Sequence, residues 1–222
     1  MYIHRMKNLL ILSIAVAVYV GISLTAAAPY INFPITMLCT FLHEFGHAFF
    51  AVLTGGSVIS LQVNPDGSGV TWTSGGSRAL TLMGGYIGSA VFGNILLRVS
   101  LTNFARWGCY ALALASAVSA VMWFSSLYTM FLLAVFSGVF LFMAQSKFAP
   151  YVLQFIGVAS LIYIIQDFNV GPTGDLQMFA SEISPFPPAA VMMYVWLGIV
   201  LALTVWNGHR ILTAENKNST AF

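Results

Sequence analysis

The chain has 222 residues, of which 59% are hydrophobic and only 6% charged, and its formal net charge is +2. A soluble domain carries about 25% charged residues, so a chain this poor in charge cannot cover a water-facing surface. Its few basic residues are scattered and form no polybasic block, which argues against nucleic acid as a partner. Apolar runs of about 20 residues recur instead, the length that crosses a hydrocarbon core roughly 30 Å thick. The expected fold is an all-α polytopic membrane protein with about seven transmembrane helices. It forms a single domain over residues 1–222, with a small membrane-associated β-hairpin after the second helix.

The first span covers about 9–28 and is closed by Pro29. Arg5 and Lys7 before it and "TAAAPY" after it resemble a signal peptide, but the apolar run is long for one, which favours an uncleaved first helix. The second span, about 35–53, is opened by Pro34 and closed by Gly55 and Gly56. Residues 57–73 differ in kind: "SVISLQV" and "GVTWT" are rich in β-branched residues and flank "NPDGSG", whose Pro, Asp and Gly suit a tight turn. An open sheet edge cannot face lipid. The hairpin is therefore expected at the interface or in a protein-lined cavity, and its apolar residues Val58, Leu61, Val63, Val70 and Trp72 are the reason to expect it against the second span rather than in open water.

The third span is about 79–99. From Trp107 to Gln145 the apolar run is too long for one crossing, so a turn at "FSSLY" divides it into 107–124 and 127–145. The sixth span is about 149–165. The seventh, 189–206, follows "PFPP" and leaves a polar tail at 207–222. Cys39 and Cys109 lie in apolar runs, imply no disulfide framework and read as small buried residues.

The chemistry is concentrated in "FLHEFGHAFF", residues 41–50. His43 and His47 are four apart, so on a helix they lie one turn apart on one face and can reach the same metal ion. Glu44 is rotated by about 100° from His43, which lets its carboxylate approach the open position of that metal. Zinc with two histidines and a third protein ligand keeps a fourth site for water, and a nearby glutamate can take the proton of that water. Two packed, hydrogen-bonded histidines are the plainer reading. Against it, each ionisable group at the centre of a span costs roughly 2.5 kcal/mol or more on insertion scales. The chain has only six acidic residues and four histidines, and three of those ten fall in this pentapeptide. Gly46 gives room for another backbone to approach.

"HEFGH", "TGGSVISLQVNPDGSGVTW" and "GGYIGSAVFGNILL" resemble the M50 group of intramembrane zinc metalloproteases, and most nearly its compact M50B-like branch. With "GDLQMFA" near the C-terminus the resemblance runs from about Pro34 to Trp206. It implies Zn2+, hydrolysis of peptide bonds in the membrane plane, and a substrate that is a membrane protein or transmembrane peptide. It also implies a carboxylate as third zinc ligand, to be chosen among Asp66, Asp167, Asp175, Glu182 and Glu215. The N-x-x-P-x-x-x-L-D-G pattern of site-2 proteases is absent. "GPTGDLQMFA" resembles the small-residue, Asp, then helix pattern of the M50B-like branch, so the resemblance favours His43, His47 and Asp175 as the ligand set with Glu44 as general base. Asp175 also reads as a first-turn helix acid. Asp167, ending the sixth span, is the runner-up, and Asp66 sits at the hairpin tip where Pro-Asp-Gly needs no metal.

Counting crossings from the hairpin returns the loop that holds Asp167 and Asp175 to the hairpin side of the membrane. Cys39 is about 12 Å along the helix axis from His47, too far to share an ion. His4 and His209 flank spans and read as interfacial, while Asn94, inside the third span, reads first as a helix–helix hydrogen-bonding residue. Arg5 and Lys7 favour a cytoplasmic N-terminus, which puts the hairpin and active site on the cytoplasmic side of a multi-pass protein of the cell (inner) membrane. Over all loops the balance runs the other way, with Arg5, Lys7 and Arg78 on the hairpin side and Arg98, Arg106, Lys147, Arg210 and Lys217 opposite. Two other functions compete with a peptidase. One is a non-catalytic membrane protein that keeps a structural or sensing metal site, which would not need a free carboxylate such as Glu44. The other is a transporter, which would spread polar residues through several spans.

Overall fold

The computed structural model describes residues 2–168, 174–183, 186 and 188–217. Pro185 and Pro187 of the expected "PFPP" stop, residues 171–173 of "GPTGDLQMFA", the side chain of His4 and the last five residues of the expected tail lie outside that set. Helix α1 is Tyr2–Ser23, and the Ala-Pro-Tyr stretch after it forms its own short helix α2, Ala28–Ile31. Helix α3, Phe33–Leu53, carries Pro34 in its first turn, where a missing N–H costs nothing. It ends at Thr54, and Gly55 with φ +86° turns the chain into the hairpin.

Strands β1 (Ser57–Val63) and β2 (Gly69–Ser74) pair antiparallel, with Leu61 opposite Thr71 and Val63 opposite Gly69, and one irregularity between Val58 and Ser60. The connecting turn is closed by Asn64 N donating to Ser68 O at 2.8 Å, with Gly67 at φ +90°. The hairpin folds back along α3, so that the Thr40 hydroxyl donates to Gly67 O at 2.8 Å. The outer edge of β1 is closed by the turn after α6. Leu61 N donates to Trp123 O at 2.5 Å, and the Thr129 hydroxyl accepts from Val63 N and donates to Val63 O, each at 3.1 Å. These contacts satisfy the backbone groups that lipid could not. Leu61 and Val63 are buried and Val58 and Val70 partly so, while Trp72 is exposed. Alternation along β2 sends Thr71 to the α3 side and Trp72 outward.

Helix α4 (Arg78–Met83), a π-helical turn at Gly84–Gly88 and α5 (Ser89–Ser100) form one continuous crossing. Helices α6 (Ala105–Met122) and α7 (Leu127–Ala144) form an antiparallel pair divided near "FSSLY". Helix α8 (Ala149–Phe168) packs on α5 through Gly93 and Gly157, where a Cβ on Gly157 would lie 2.8 Å from Gly93 O. Then follow the short α9 (Gly174–Glu182) and α10 (Ala189–Lys217). The last span was expected to stop at residue 206, but α10 continues to Lys217. Nothing in "NGHRILTAENK" interrupts a helix except Gly208, and the exposed Arg210 suits the outer part of such a helix.

Among the described residues six helices are long and apolar enough to cross a membrane: α3, α4 with α5, α6, α7, α8 and α10. Helix α1 is outside that set. The molecule is an integral membrane protein with a two-stranded hairpin packed against α3. Asn94 joins helices as anticipated. Its side chain donates to Ala90 O and to the Thr204 hydroxyl, and Asn207 donates to Asn94 O at 3.1 Å and to its Oδ1 at 3.0 Å, tying α5 to α10.

Candidate metal centre

The two histidines lie near the middle of α3, whose inner face carries Phe41, Leu42, Glu44 and His47. One helical turn brings their Nε2 atoms to 3.1 Å of each other. Asp175 Oδ2 lies 3.0 Å from His43 Nε2 and 3.2 Å from His47 Nε2. Three donors separated by that much fit one ion. Tetrahedral zinc with bonds of about 2.0–2.1 Å places its ligand atoms roughly 3.3 Å apart. On its far side His47 is held by the carbonyl of Thr81 in α4, which accepts from Nδ1–H at 2.7 Å. That bond puts the ring proton on Nδ1 and leaves the Nε2 lone pair for the shared point, the orientation usual for a metal-ligating histidine.

Asp175 opens α9, which is anchored by buried Leu176 and Phe179. Phe179 packs edge-on against Trp196 of α10 at 5.4 Å. The far end of α9 is tied to α4, where Arg78 Nε donates to Glu182 at 2.8 Å. Burial alone would raise the Asp175 carboxyl, but the two imidazoles outweigh it and hold it well below the usual carboxylate range.

The π-helical turn completes the cradle. A Cβ on Gly46 would overlap the carbonyl of Gly84, so α3 and this turn touch backbone to backbone. A Cβ on Gly85 would lie 2.5 Å from His43 Nε2 and 2.6 Å from His47 Nε2, filling the space before both donors. Only glycine leaves that space open. The extra residue of the turn also presents Tyr86, whose ring stands edge-on to His43 at 4.6 Å. Its hydroxyl donates to Asp167.

Glu44, one residue beyond His43, points to the hairpin side. Its Oε2 accepts from the Thr71 hydroxyl at 2.7 Å. A cavity of about 380 Å³ lies over this group, lined by His43, Glu44, His47, Thr71, Asp167 and Asp175 among others. Asp167 thus belongs to the cavity wall, bonded to Tyr86 and outside the group of converging donors. Asp66 is remote, at the exposed hairpin turn. Its carboxylate accepts from Ser68 N at 2.9 Å and from the Ser68 hydroxyl at 2.7 Å, and these bonds hold it below the usual carboxylate range. Cys39 is buried with Sγ 4.0 Å from the Ser160 hydroxyl, away from the donors.

Thr71, Gly69, Thr81 and Tyr86 also shape the site and escaped the sequence reading. Strand alternation put residues 69 and 71 on one face, but nothing local tells which helix that face meets.

A family model described as Peptidase M50B-like matches residues 11–208. No curated protein and no solved structure is matched by the chain.

Proposed function

The chain belongs to the Peptidase M50B-like family, and from that premise we propose that it is an intramembrane zinc endopeptidase acting on membrane proteins or transmembrane peptides. The observation that carries the reading is the meeting of His43, His47 and Asp175 with Glu44 at one cavity. A structural metal site has no need of a carboxylate held beside it by a separate hydrogen bond. The donor set is the two-histidine, one-carboxylate type that leaves zinc an open position, and zinc bound there would supply Lewis acidity to water and to the scissile carbonyl.

The protein's own groups do the rest. The Thr81 carbonyl holds the His47 imidazole in one tautomer and orientation. Glu44 removes a proton from the attacking water and returns it to the leaving amine. A helical substrate has its carbonyls already hydrogen-bonded and must unwind before it is cut. Residues 67–71 at the start of β2 line the cavity, and no other strand pairs with β2's outer edge among the described residues. An extended substrate segment adds to that edge as a strand, and its backbone is satisfied as it enters. Arg5 and Lys7, near the start of α1, favour a cytoplasmic N-terminus and with it a cytoplasmic position for this side of the protein in the cell (inner) membrane.

The test is to reconstitute wild type and Glu44→Gln in lipid with a membrane-spanning peptide, and to measure zinc and cleavage on the same samples. Glu44→Gln keeps size and packing, so zinc should stay near the wild-type level while cleavage falls by roughly 10²- to 10⁴-fold. Cleavage at the wild-type rate would rule out Glu44 as the base. Loss of zinc with Glu44→Gln would instead favour a structural or sensing metal site.

A further inference from the structure

The buried carboxylate of Glu44 has three rotatable bonds, and a base must be aimed. Position i+1 from His43 turns it about 100° away from the histidine stripe, toward the hairpin. There it meets two residues of β2 that alternate on one strand face, Gly69 and Thr71. The Thr71 hydroxyl donates to Oε2 at 2.7 Å, a length typical of a bond to a charged acceptor. The same hydroxyl lies 3.1 Å from the Glu44 carbonyl, so it registers side chain and helix backbone together. At Gly69 the carboxylate occupies the place of a side chain: a Cβ there would stand 2.6 Å from Oε1 and 2.7 Å from Cγ. Among the described residues Oε1 accepts no hydrogen bond, which leaves it for the water to be deprotonated.

Thr71 is itself held firmly. It pairs with Leu61, whose N–H is fixed to Trp123 O at the turn between α6 and α7. We infer that Thr71 is the positioning residue of the general base: its hydroxyl fixes one Glu44 oxygen, and the bare backbone of Gly69 makes room for the other. The strand that offers its free edge to substrate is then also the strand that aims the base. This rests on the peptidase reading above, but its geometry can be tested apart from it.

The experiment compares wild type, Thr71→Val, Thr71→Ser and Gly69→Ala, with Glu44→Gln as the spectroscopic reference. Zinc content, kcat and KM are measured in lipid with the same membrane-spanning peptide. The Glu44 carboxylate stretch is read from isotope-edited infrared differences against Glu44→Gln, in zinc-free and zinc-loaded protein. Thr71→Val keeps shape and removes the donor. It should retain zinc, leave KM nearly unchanged, lower kcat by roughly 10- to 100-fold and shift the carboxylate band upward. Thr71→Ser, which restores the hydroxyl, should recover most of the rate and the wild-type band. Gly69→Ala displaces the carboxylate without touching the donor, and should shift the band and lower kcat with zinc retained. An unchanged band in Thr71→Val overturns the inference whether or not the preparation cleaves peptide. So does an undiminished kcat, or a loss of zinc that would make Thr71 merely structural. Failure of the peptidase reading would appear separately, as Glu44→Gln cleaving like wild type.

Discussion

Gly46 on α3 and Gly138 on α7 are both glycines inside long apolar helices, and they meet opposite surroundings. A Cβ on Gly46 would strike the backbone of the π-helical turn, whereas at Gly138 nothing lies within 4 Å. The contrast extends to the helices themselves: 61% of the α3 span is buried inside the protein against 28% of the α7 span. Beside α3 the site groups have assigned partners: His47 on the Thr81 carbonyl, Glu44 Oε2 on Thr71 and Asp175 on both imidazoles. Helix α7 buries Leu133, Phe136 and Phe140 on one side and leaves Phe131, Val139 and Phe142 exposed on the other. Hydrocarbon attracts apolar side chains as well as another helix does, so there is little force to bury α7 further. Of these two helices, the one that encloses polar chemistry is the one in close backbone contact.

The sharpest way to break this contrast is to remove a donor. His47→Ala should weaken zinc binding by more than roughly 100-fold, beyond what outer-shell partners usually cost. His209→Ala, in the outer part of α10, should leave it unchanged. Zinc titration of the two variants in detergent decides it, and equal affinities would mean that α3 does not hold the metal.

The glycine comparison comes next in size. Gly46→Ala forces backbone against backbone and should cost about 3 kcal/mol, the upper end of overpacking penalties. Gly138→Ala should stay within about 0.5 kcal/mol or stabilise slightly, because alanine is the better helix former. Unfolding of both variants by denaturing detergent in mixed micelles measures the difference.

The smallest effect concerns the exposed tie between α9 and α4. Hydrogen bonding from Arg78 holds the Glu182 carboxyl below its ordinary value, so this group favours the folded arrangement. For a lowered carboxyl the contribution is present above the unfolded value of about 4.3, and is lost as pH falls through the still lower folded one. Amide protection across residues 176–182, taken relative to the intrinsic exchange rate, should therefore fall slightly below about pH 4, and in Glu182→Gln should be nearly insensitive to that change. An α9 that loosened equally in both would place the pH response elsewhere.

Much of the fold is legible in the chain because its signals are local. Apolar runs, Pro34, Gly55 and the "NPDGSG" turn act over a few residues, and they mark α3, the hairpin and the helices after it. The direction of Trp72 was not legible, because an apolar residue in a strand beside a membrane helix has two apolar places to go, protein and lipid, and alternation alone does not choose between them. The end of α10 misled because polar composition ends a membrane span without ending a helix.

The site divides along the same line. An i, i+4 spacing suffices to put His43 and His47 on one face, since helix geometry acts within a single turn. Which carboxylate meets them was open among Asp175, Asp167 and Asp66, with family resemblance favouring the first. The decision was tertiary, because Asp175 lies 132 residues from His43 and arrives through the packing of α9 on α4 and α10. Thr71 reaches Glu44 only because the hairpin folds back along α3, and Gly85 faces the imidazoles only because a π-helical turn crosses at Gly46. Composition and short-range periodicity thus determined a membrane protein with a paired-histidine helix. The carboxylate that meets the histidines, the partner of Glu44 and the open space before the imidazoles depend on contacts between distant segments, which no local pattern encodes.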